Sequence, residues 1–305
     1  MDNLCHALVG AAIGEAGLKQ RVRHGNAVLM VAANLPDIDV LGFASGAPVV
    51  AIRRGWTHGV LAWVLLPMLF AGLVLALEKL GSRQPHSRFS SLLLLSYVGV
   101  VVHVLMDWLN NYGVRLLMPF SSRWFYGDAV FIIDVWLWLI LGLGVWLARR
   151  SARPAAARLA LAVSVVYVFG LVWSAATARQ HVLDAWVQQH GSPPDALMVG
   201  PVPVTPFHRA VIVDAGDAYH TGDFRWLPAR TTFDREVTPR LDTHPAVVRA
   251  RAHPDIRAVL SWARFPYYEV EPVAEGTRVT VRDMRFGSRL GFGARVGEMS
   301  VVVPH

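Results

Sequence analysis

The chain contains 305 residues, of which 54% are hydrophobic and only 17% are charged, and its mean hydropathy is +0.39. This composition is too apolar for an ordinary soluble protein and indicates an integral membrane protein. The formal net charge is +7, but no lysine-rich run carries interleaved aromatic residues, so we expect no nucleic-acid partner and interpret the positive charge as an orientation signal.

Two short apolar segments come first, at residues 4–18 and 26–43. Both are uncertain as membrane spans: each could cross the bilayer, re-enter it or pack against other helices. No basic segment precedes the first of them, so we expect no cleavable signal peptide. The single cysteine, Cys5, excludes a disulfide framework within the chain and is expected to be a buried thiol.

Four later stretches have the length and apolarity of transmembrane helices. They are residues 60–77, 92–108, 130–148 and 159–178. Basic residues cluster at 79–88 and 149–158, and the positive-inside rule assigns these segments to the cytoplasmic side. The basic residues at 19–23 lie on the same side if the segment 26–43 crosses the membrane. The segments 44–58 and 109–129, and everything after residue 178, are then expected to face outward.

Residues 179–305 have a different composition, with frequent Pro, Asp and Arg. The alternating segments "HRAVIVDAGDAYHTGDFRW" and "TRVTVRDMRFG" predict strands, residues 245–262 predict a helix, and "EMSVVVPH" predicts a closing strand. The predicted fold is therefore an α-helical integral membrane bundle of four to six helices, residues 1–178, followed by a small, mostly β extracytoplasmic domain, residues 179–305.

Ionisable side chains are costly inside or beside membrane helices, and here they form an ordered set. The set consists of His6, Asp37, Asp39, His58, His103 and Asp107. His103 and Asp107 are spaced i, i+4 and so share a helical face, which Asn110 or Asn111 extends. The orientation predicted from lysine and arginine places the whole set near the outer leaflet. A shared cation would offset the burial of the carboxylates at this depth.

Each of these residues also has a structural explanation when it is taken alone. His6 could be a packed, hydrogen-bonding residue, and "LPDID" could be a helix-ending turn with aspartate caps. His58 could cap the helix that follows it, and His103 with Asp107 could be a polar pair that joins two helices. The occurrence of the whole set at one predicted depth favours a metal site.

Four segments carry a family resemblance when they are taken in order. "CHALVGAAIG", "NLPDID", "RRGWTHG" and "HVLMDWLNNYG" resemble the YdjM-like family, which is described as LexA-binding, inner-membrane-associated, metal-dependent hydrolases of bacteria. The resemblance covers residues 1–178 and implies a multi-pass protein of the bacterial cytoplasmic (inner) membrane with metal-dependent hydrolase activity. "RFPYYEVE" at 264–271 is similar to a segment of the C-terminal domain of longer members. The alternative function is a non-enzymatic membrane anchor or sensor that binds a regulatory protein.

The order of the histidines and aspartates is also distantly similar to that of secreted zinc-dependent phospholipase C enzymes, which hydrolyse phosphodiesters. By this likeness the metal ligands are His6, Asp37, His58, His103 and Asp107. The later His and Glu ligands of those enzymes are missing from this sequence. Only Asp128 or Asp134 is available to replace them, so one or two ions are expected rather than three.

This donor set suits Zn²⁺, with Mn²⁺ or Mg²⁺ as alternatives. We expect the ion to lower the pKa of a bound water to about 7. Asp39 is the candidate second ligand or base, Asn111 would orient substrate or water, and Arg54 would hold a phosphate oxygen or, alternatively, meet lipid phosphates. The expected substrate is a phosphodiester or ester of a lipid or lipid-linked molecule. The C-terminal domain would cover the site or bind a protein partner.

Overall fold

The computed structural model describes residues 1–45, 53–81, 87–287 and 297–304. The chain divides into two compact units, formed chiefly by residues 1–41 with 53–172 and by residues 173–305. The first unit is helical, and the second contains two antiparallel sheets. This agrees with the prediction of a helical membrane part followed by a β domain.

The helical unit contains short helices at its start and long apolar ones after residue 60. They are α1 (Asn3–Glu15), α2 (Gly25–Ala32), α3 (Val60–Gly81), α4 (Phe89–Trp108), α5 (Val135–Ser151) and most of α6 (Ala155–His190). Two 3₁₀ helices, Leu18–Arg21 and Leu35–Ser45, lie on either side of α2. The Asp2 carboxylate caps α1 by accepting a hydrogen bond from the Cys5 backbone N–H at 3.0 Å.

The α2 helix packs against both α1 and α4, and the crossings depend on glycine. A Cβ at Gly10 of α1 would lie 2.8 Å from the Leu29 carbonyl oxygen of α2. A Cβ at Gly99 of α4 would lie 2.6 Å from the Ala32 Cβ. Small residues let helix backbones approach closely, so these two positions fix how near α2 sits to its neighbours. In addition, α5 packs against α1, and α3 packs against α4.

Among the residues that the structure describes, three helices are long and apolar enough to cross a membrane: α3, α4 and α6. Their exposed surfaces carry large apolar side chains, such as Leu69 and Phe169, as a lipid-facing surface requires. The fourth predicted span, residues 130–148, coincides with α5, which has 17 residues and begins after the Asp134 cap. That α5 crosses the bilayer, and the sidedness of all spans, stay predictions.

Two predicted segments differ from the observed ones in their local structure. The segment 26–43 is not a continuous α-helix: α2 ends at Ala32 and a 3₁₀ helix begins at Leu35. The reason is Pro36, which disfavours α conformation in the residue before it, together with the Asn34 side chain, which donates to the Met30 carbonyl. The last span, 159–178, is part of α6, which continues to His190, so the domain boundary predicted after residue 178 falls inside a helix.

The described residues of the second unit form two sheets and several helical segments. The first sheet is antiparallel with its strands in sequence order: β1 (Ala196–Pro201), β2 (His208–Asp214), β3 (Ala218–Trp226) and β4 (Ala229–Pro239). The second sheet is also antiparallel and consists of β5 (Pro266–Val273), β6 (Gly276–Asp283) and β7 (Met299–Val303). The last turns of α6 cover the first sheet with Ala178, Val182 and Trp186. The helix predicted at 245–262 is two short helices, α7 (Pro245–Ala250) and α8 (Pro254–Leu260), because Pro254 starts a new helix; both contact the second sheet.

Candidate metal centre

A buried polar cluster lies inside the helical unit. Asp37, His58, His103 and Asp107 each offer one ligand atom, and these four atoms lie within 4.8 Å of one another. All four residues are 6% exposed or less. Histidine nitrogens and aspartate oxygens gathered in this way form a site that could bind a divalent metal ion.

Three separate segments bring these four side chains together. His103 and Asp107 occupy successive turns of the same face of α4. Asp37 comes from the 3₁₀ helix that follows α2. His58 comes from the turn before α3, where its backbone N–H donates to the Gly55 carbonyl at 3.0 Å and its own carbonyl accepts from the Trp63 indole at 2.8 Å.

The hydrogen bonds of the two imidazoles leave both Nε2 atoms available as ligands. The Nδ1 of His103 lies 2.7 Å from the Ala33 carbonyl, and because a carbonyl only accepts, this Nδ1 carries the proton. The Nδ1 of His58 lies 2.9 Å from the Thr57 hydroxyl, whose own proton is donated to Asp39 Oδ2 at 3.2 Å. A neutral ring in either arrangement presents the lone pair of its Nε2 to the cluster.

These two Nε2 atoms lie only 3.1 Å apart. Two lone pairs at this distance repel each other, whereas two nitrogens that share one ion in tetrahedral coordination lie about 3.3 Å apart, given Zn–N bonds of about 2.0–2.1 Å. Burial lowers the pKa of His58 from its ordinary value, which favours the neutral, ligand form of the ring. The geometry of the pair thus fits a bound cation.

The two carboxylates face the cluster with one oxygen each, Oδ1 of Asp37 and Oδ2 of Asp107. Asp107 Oδ2 lies 3.2 Å from His58 Nε2 and 3.4 Å from His103 Nε2, while its Oδ1 accepts from Arg54 Nη2 at 2.9 Å and contacts the Met1 amino group. The ligand atoms of Asp37 and His103 are 4.0 Å apart. Buried carboxylates need such positive partners, and a bound cation would add to them.

His6 lies beside the four-residue cluster rather than within it. Its ring stacks on that of His103, with centroids 3.9 Å apart and planes 22° apart, and its Nε2 is 3.4 Å from Asp107 Oδ1. Within the described part of the chain, neither ring nitrogen of His6 has a hydrogen-bond partner, although both are buried. Since buried polar atoms are normally paired, His6 fits a further ligand position.

The comparisons with known proteins agree with the family resemblance of the sequence. A model of the YdjM inner membrane protein family matches residues 1–178, which is more than half of the chain. The chain belongs to this family. It is also 24% identical to a protein of Bacillus subtilis (strain 168) described as uncharacterized protein YfhP, over 306 positions that cover 95% of this chain and 88% of that relative. No solved structure matches the chain.

The predicted family is therefore confirmed. Membership of an inner membrane protein family, together with the three apolar helices, supports the association of this YdjM-family protein with a membrane. The metal-ligand residues predicted for the family lie in the matched region. The catalytic roles predicted for Asp39, Arg54 and Asn111 stay predictions, but the structure shows where each side chain lies.

Asp39 and Arg54 both border the cluster. Asp39 Oδ2 accepts from the Arg54 backbone N–H at 2.7 Å, while its buried Oδ1 has no hydrogen bond within the described residues and lies 3.5 Å from Arg53 Nε. The Arg54 guanidinium is 3% exposed and donates to Asp107 and to Asn110 Oδ1 at 3.0 Å. The Arg54 side chain therefore faces the cluster.

The remaining predicted residues are buried nearby or lie outside the four-residue cluster. Asn111 is 5% exposed. Asp134, a candidate substitute ligand, caps α5 instead: its Oδ1 accepts from the Leu137 N–H at 2.9 Å and its Oδ2 accepts from the Tyr167 hydroxyl at 3.1 Å. Neither Asp134 nor Asp128 belongs to the four-residue group found among the described residues.

Sequence reasoning missed the supporting residues of this YdjM-family site. Arg53 donates to Asp37 Oδ1 at 2.9 Å, and Asn3 donates to Asp37 Oδ2 at the same distance. Thr57 links His58 to Asp39, and Asn110 holds Arg54. Thr57 and Arg53 lie within the quoted "RRGWTHG" segment, so their position beside a ligand-type histidine was the available signal.

Proposed function

We propose that this YdjM-family protein is a membrane-bound, metal-dependent hydrolase that cleaves a phosphodiester or ester of a lipid or lipid-linked substrate. The observation that carries the proposal is the approach of the Nε2 atoms of His58 and His103 to 3.1 Å beside the Asp107 carboxylate. A cation accounts for this approach, and a buried cation next to unpartnered polar atoms is typical of a catalytic centre.

The chain's own residues divide the proposed tasks. Asp37, His58, His103 and Asp107 would hold a divalent ion, with Zn²⁺ as the first candidate, and His6 would be an additional donor. Such an ion supplies Lewis acidity, which lowers the pKa of water and polarises a phosphoryl or carbonyl oxygen.

Asp39 would accept the proton of the attacking water at its Oδ1, the oxygen without a hydrogen bond among the described residues. The Arg53 Nε lies 3.5 Å from this oxygen. Thr57 would hold the other oxygen of Asp39 in place while fixing the His58 ring.

An apolar cavity in the same unit supports a substrate with a hydrocarbon tail. Its volume is about 550 Å³, and it lies among α1, α4, α5 and α6. The lining includes Val9, Leu141 and Phe169, and it includes Trp108 and Leu109, which follow Asp107 directly in the chain. Apolar cavities of several hundred Å³ are typical of sites for apolar ligands. An acyl or prenyl chain in this cavity would have its polar end at the depth of the cluster.

The first experiment measures metal in the purified full-length protein by elemental analysis. We expect one or two ions per chain in the wild type and a loss of most of this metal in a His58→Asn/His103→Asn variant. The matched control is His24→Asn, because His24 is exposed and has φ 59, a conformation that asparagine tolerates. Full metal retention in the double variant would end the assignment.

The second experiment screens lipid phosphodiesters and esters with the metal-loaded protein. Asp39→Asn is expected to keep the metal and lose hydrolysis, since it removes the proton acceptor but not the ligands. A protein that binds metal, hydrolyses none of these substrates and still captures a regulatory protein after His58→Ala would support the non-enzymatic anchor instead.

We also propose that the protein is multi-pass and that its C-terminal domain is extracytoplasmic. The distribution of lysine and arginine supports this orientation. The test places a cysteine at exposed Glu275 and treats intact cells with a membrane-impermeant thiol reagent. Labelling without lysis is expected, and labelling only after lysis would reverse the orientation.

A further inference from the structure

Two turns lie side by side at one end of the first sheet in the C-terminal unit. One is the loop between β1 and β2, residues 202–207, and the other is the tip of the β3–β4 hairpin, residues 226–229. The Trp226 backbone N–H donates to the Phe207 carbonyl at 3.0 Å, which ties the two turns together. A depression of about 320 Å³ is lined from both turns by residues that include Phe207, Arg225 and Leu227.

Large apolar side chains on these turns point to solvent. Val204 is 59% exposed, Phe207 55% and Leu227 77%. Val204 also has φ 67, which a β-branched residue rarely adopts, and such backbone strain is often kept where a surface has a function. Exposed apolar side chains that cluster on one edge of a domain indicate a contact surface.

Two arginines flank the apolar side chains. Arg225 and Arg230 are exposed and line a second depression of about 300 Å³, together with Asp223. The Asp223 carboxylate is paired with His208, whose Nε2 lies 2.7 Å from its Oδ1. Guanidinium groups bind phosphate oxygens in a bidentate manner, so the charge of this edge complements phosphodiester head groups.

A hydrogen bond fixes the position of these turns along the axis of α6. The Trp226 indole N–H donates to the Ser174 hydroxyl at 2.9 Å. Ser174 lies in the apolar stretch of α6, and the first charged residue after that stretch is Arg179. The five residues from Ser174 to Arg179 correspond to about 7 Å along the helix axis. The neighbouring Trp173 is 70% exposed, and tryptophan is enriched at the membrane–water interface. The hairpin tip therefore lies at the level where α6 leaves the hydrocarbon.

We propose that residues 202–207 and 226–229 form a membrane-docking surface, which places Val204, Phe207 and Leu227 among lipid head groups while Arg225 and Arg230 bind the lipid phosphodiesters. The partner is the bilayer leaflet that surrounds the end of α6. Insertion of apolar side chains into the interface and arginine–phosphate contacts both contribute to membrane binding, and either contribution alone gives weaker binding than the two together. This surface would hold the β domain flat against the membrane whether or not the metal centre is catalytic.

The test uses the full-length protein in lipid nanodiscs that contain anionic lipid. Cys5, the single cysteine and fully buried, is first replaced in a Cys5→Ala background, and Leu227→Cys is labelled with an environment-sensitive fluorophore. Glu275→Cys, on an exposed turn of the second sheet, is the control. We expect lipids with a spin label near the head group to quench position 227 about threefold more than position 275, and aqueous iodide to show the reverse order.

Equal quenching at the two positions, or stronger iodide quenching at 227, would overturn the proposal. Phe207→Cys serves as a second labelling position if the Leu227 variant fails to fold. Arg225→Gln/Arg230→Gln is expected to reduce lipid quenching at 227. Inorganic phosphate in solution is expected to leave that quenching unchanged, and its loss on phosphate addition would show a site for a free anion instead of a lipid surface.

Discussion

Gly99 sets the distance between α2 and α4, and we expect Gly99→Ala to weaken the metal centre. The new Cβ would lie 2.6 Å from the Ala32 Cβ and 2.8 Å from the Ala33 backbone nitrogen. Carbon atoms in contact are about 3.5–4.0 Å apart, so the two helices would have to separate by roughly 1 Å. The His103 Nδ1 to Ala33 carbonyl distance, 2.7 Å in this structure, would then be about 3.7 Å, which is no hydrogen bond.

Two consequences of this separation have known sizes. Overpacking a helix crossing costs about 1–3 kcal/mol of stability. Loss of the hydrogen bond that orients a ligand histidine lowers metal affinity about 10–100-fold. The second effect is the specific one, because it acts on the ligand and not on the fold alone.

The assay is a competition titration of the bound ion against a fluorescent chelator, with wild type, Gly99→Ala and Gly72→Ala in the same detergent. Gly72→Ala is the matched control, because Gly72 lies in α3 and an added Cβ there meets nothing within 4 Å. We expect the control to bind the ion like the wild type. If Gly99→Ala also binds it as tightly, the close approach of α2 to α4 does not orient His103 and the reasoning fails.

Three further substitutions test the supporting contacts. Thr57→Val removes the hydroxyl that fixes His58 and is expected to weaken metal binding about tenfold in the same titration, whereas Thr57→Ser keeps it; equal loss in both variants would contradict this role. Asp134→Ala removes the α5 cap and should lower thermal stability by about 0.5–2 kcal/mol with unchanged metal content; metal loss at constant stability would make Asp134 a ligand. Glu15→Gln weakens the ion pair between the buried Glu15 carboxylate and the exposed Arg149 guanidinium and should lower the melting temperature by the equivalent of about 1 kcal/mol or less, so an unchanged melting temperature would show that the pair contributes nothing.

The sequence was sufficient to group residues that are far apart in the chain. The i, i+4 spacing of His103 and Asp107 determines their relation within one helix. Asp37 and His58 were placed near them because lysine and arginine clusters ordered the segments across the membrane. In an apolar bundle, polar side chains are confined largely to the helix ends. Residues at helix ends of the same predicted depth could therefore be grouped without knowing which side chains contact each other.

The details that the sequence did not reveal depend on the path of the backbone. Arg54 has φ 53, a left-handed conformation that turns its side chain toward Asp107 and Asn110, and nothing in the residue itself requires it. The continuation of α6 to His190 was also missed, because the change of composition after residue 178 indicated a domain boundary there. In the structure Val182 and Trp186 on one face of that segment are buried against the first sheet.

The four donors of the cluster are spread over residues 37 to 107, and this spread determines when the ion can be acquired. At a synthesis rate of about 5–20 residues per second, Asp107 follows Asp37 by roughly 4–14 s. During most of this interval the early donors lack His103 and Asp107. If the cluster holds an ion as proposed, loading would be a maturation step that follows insertion of α4, and cells starved of the ion would accumulate an inserted precursor without it.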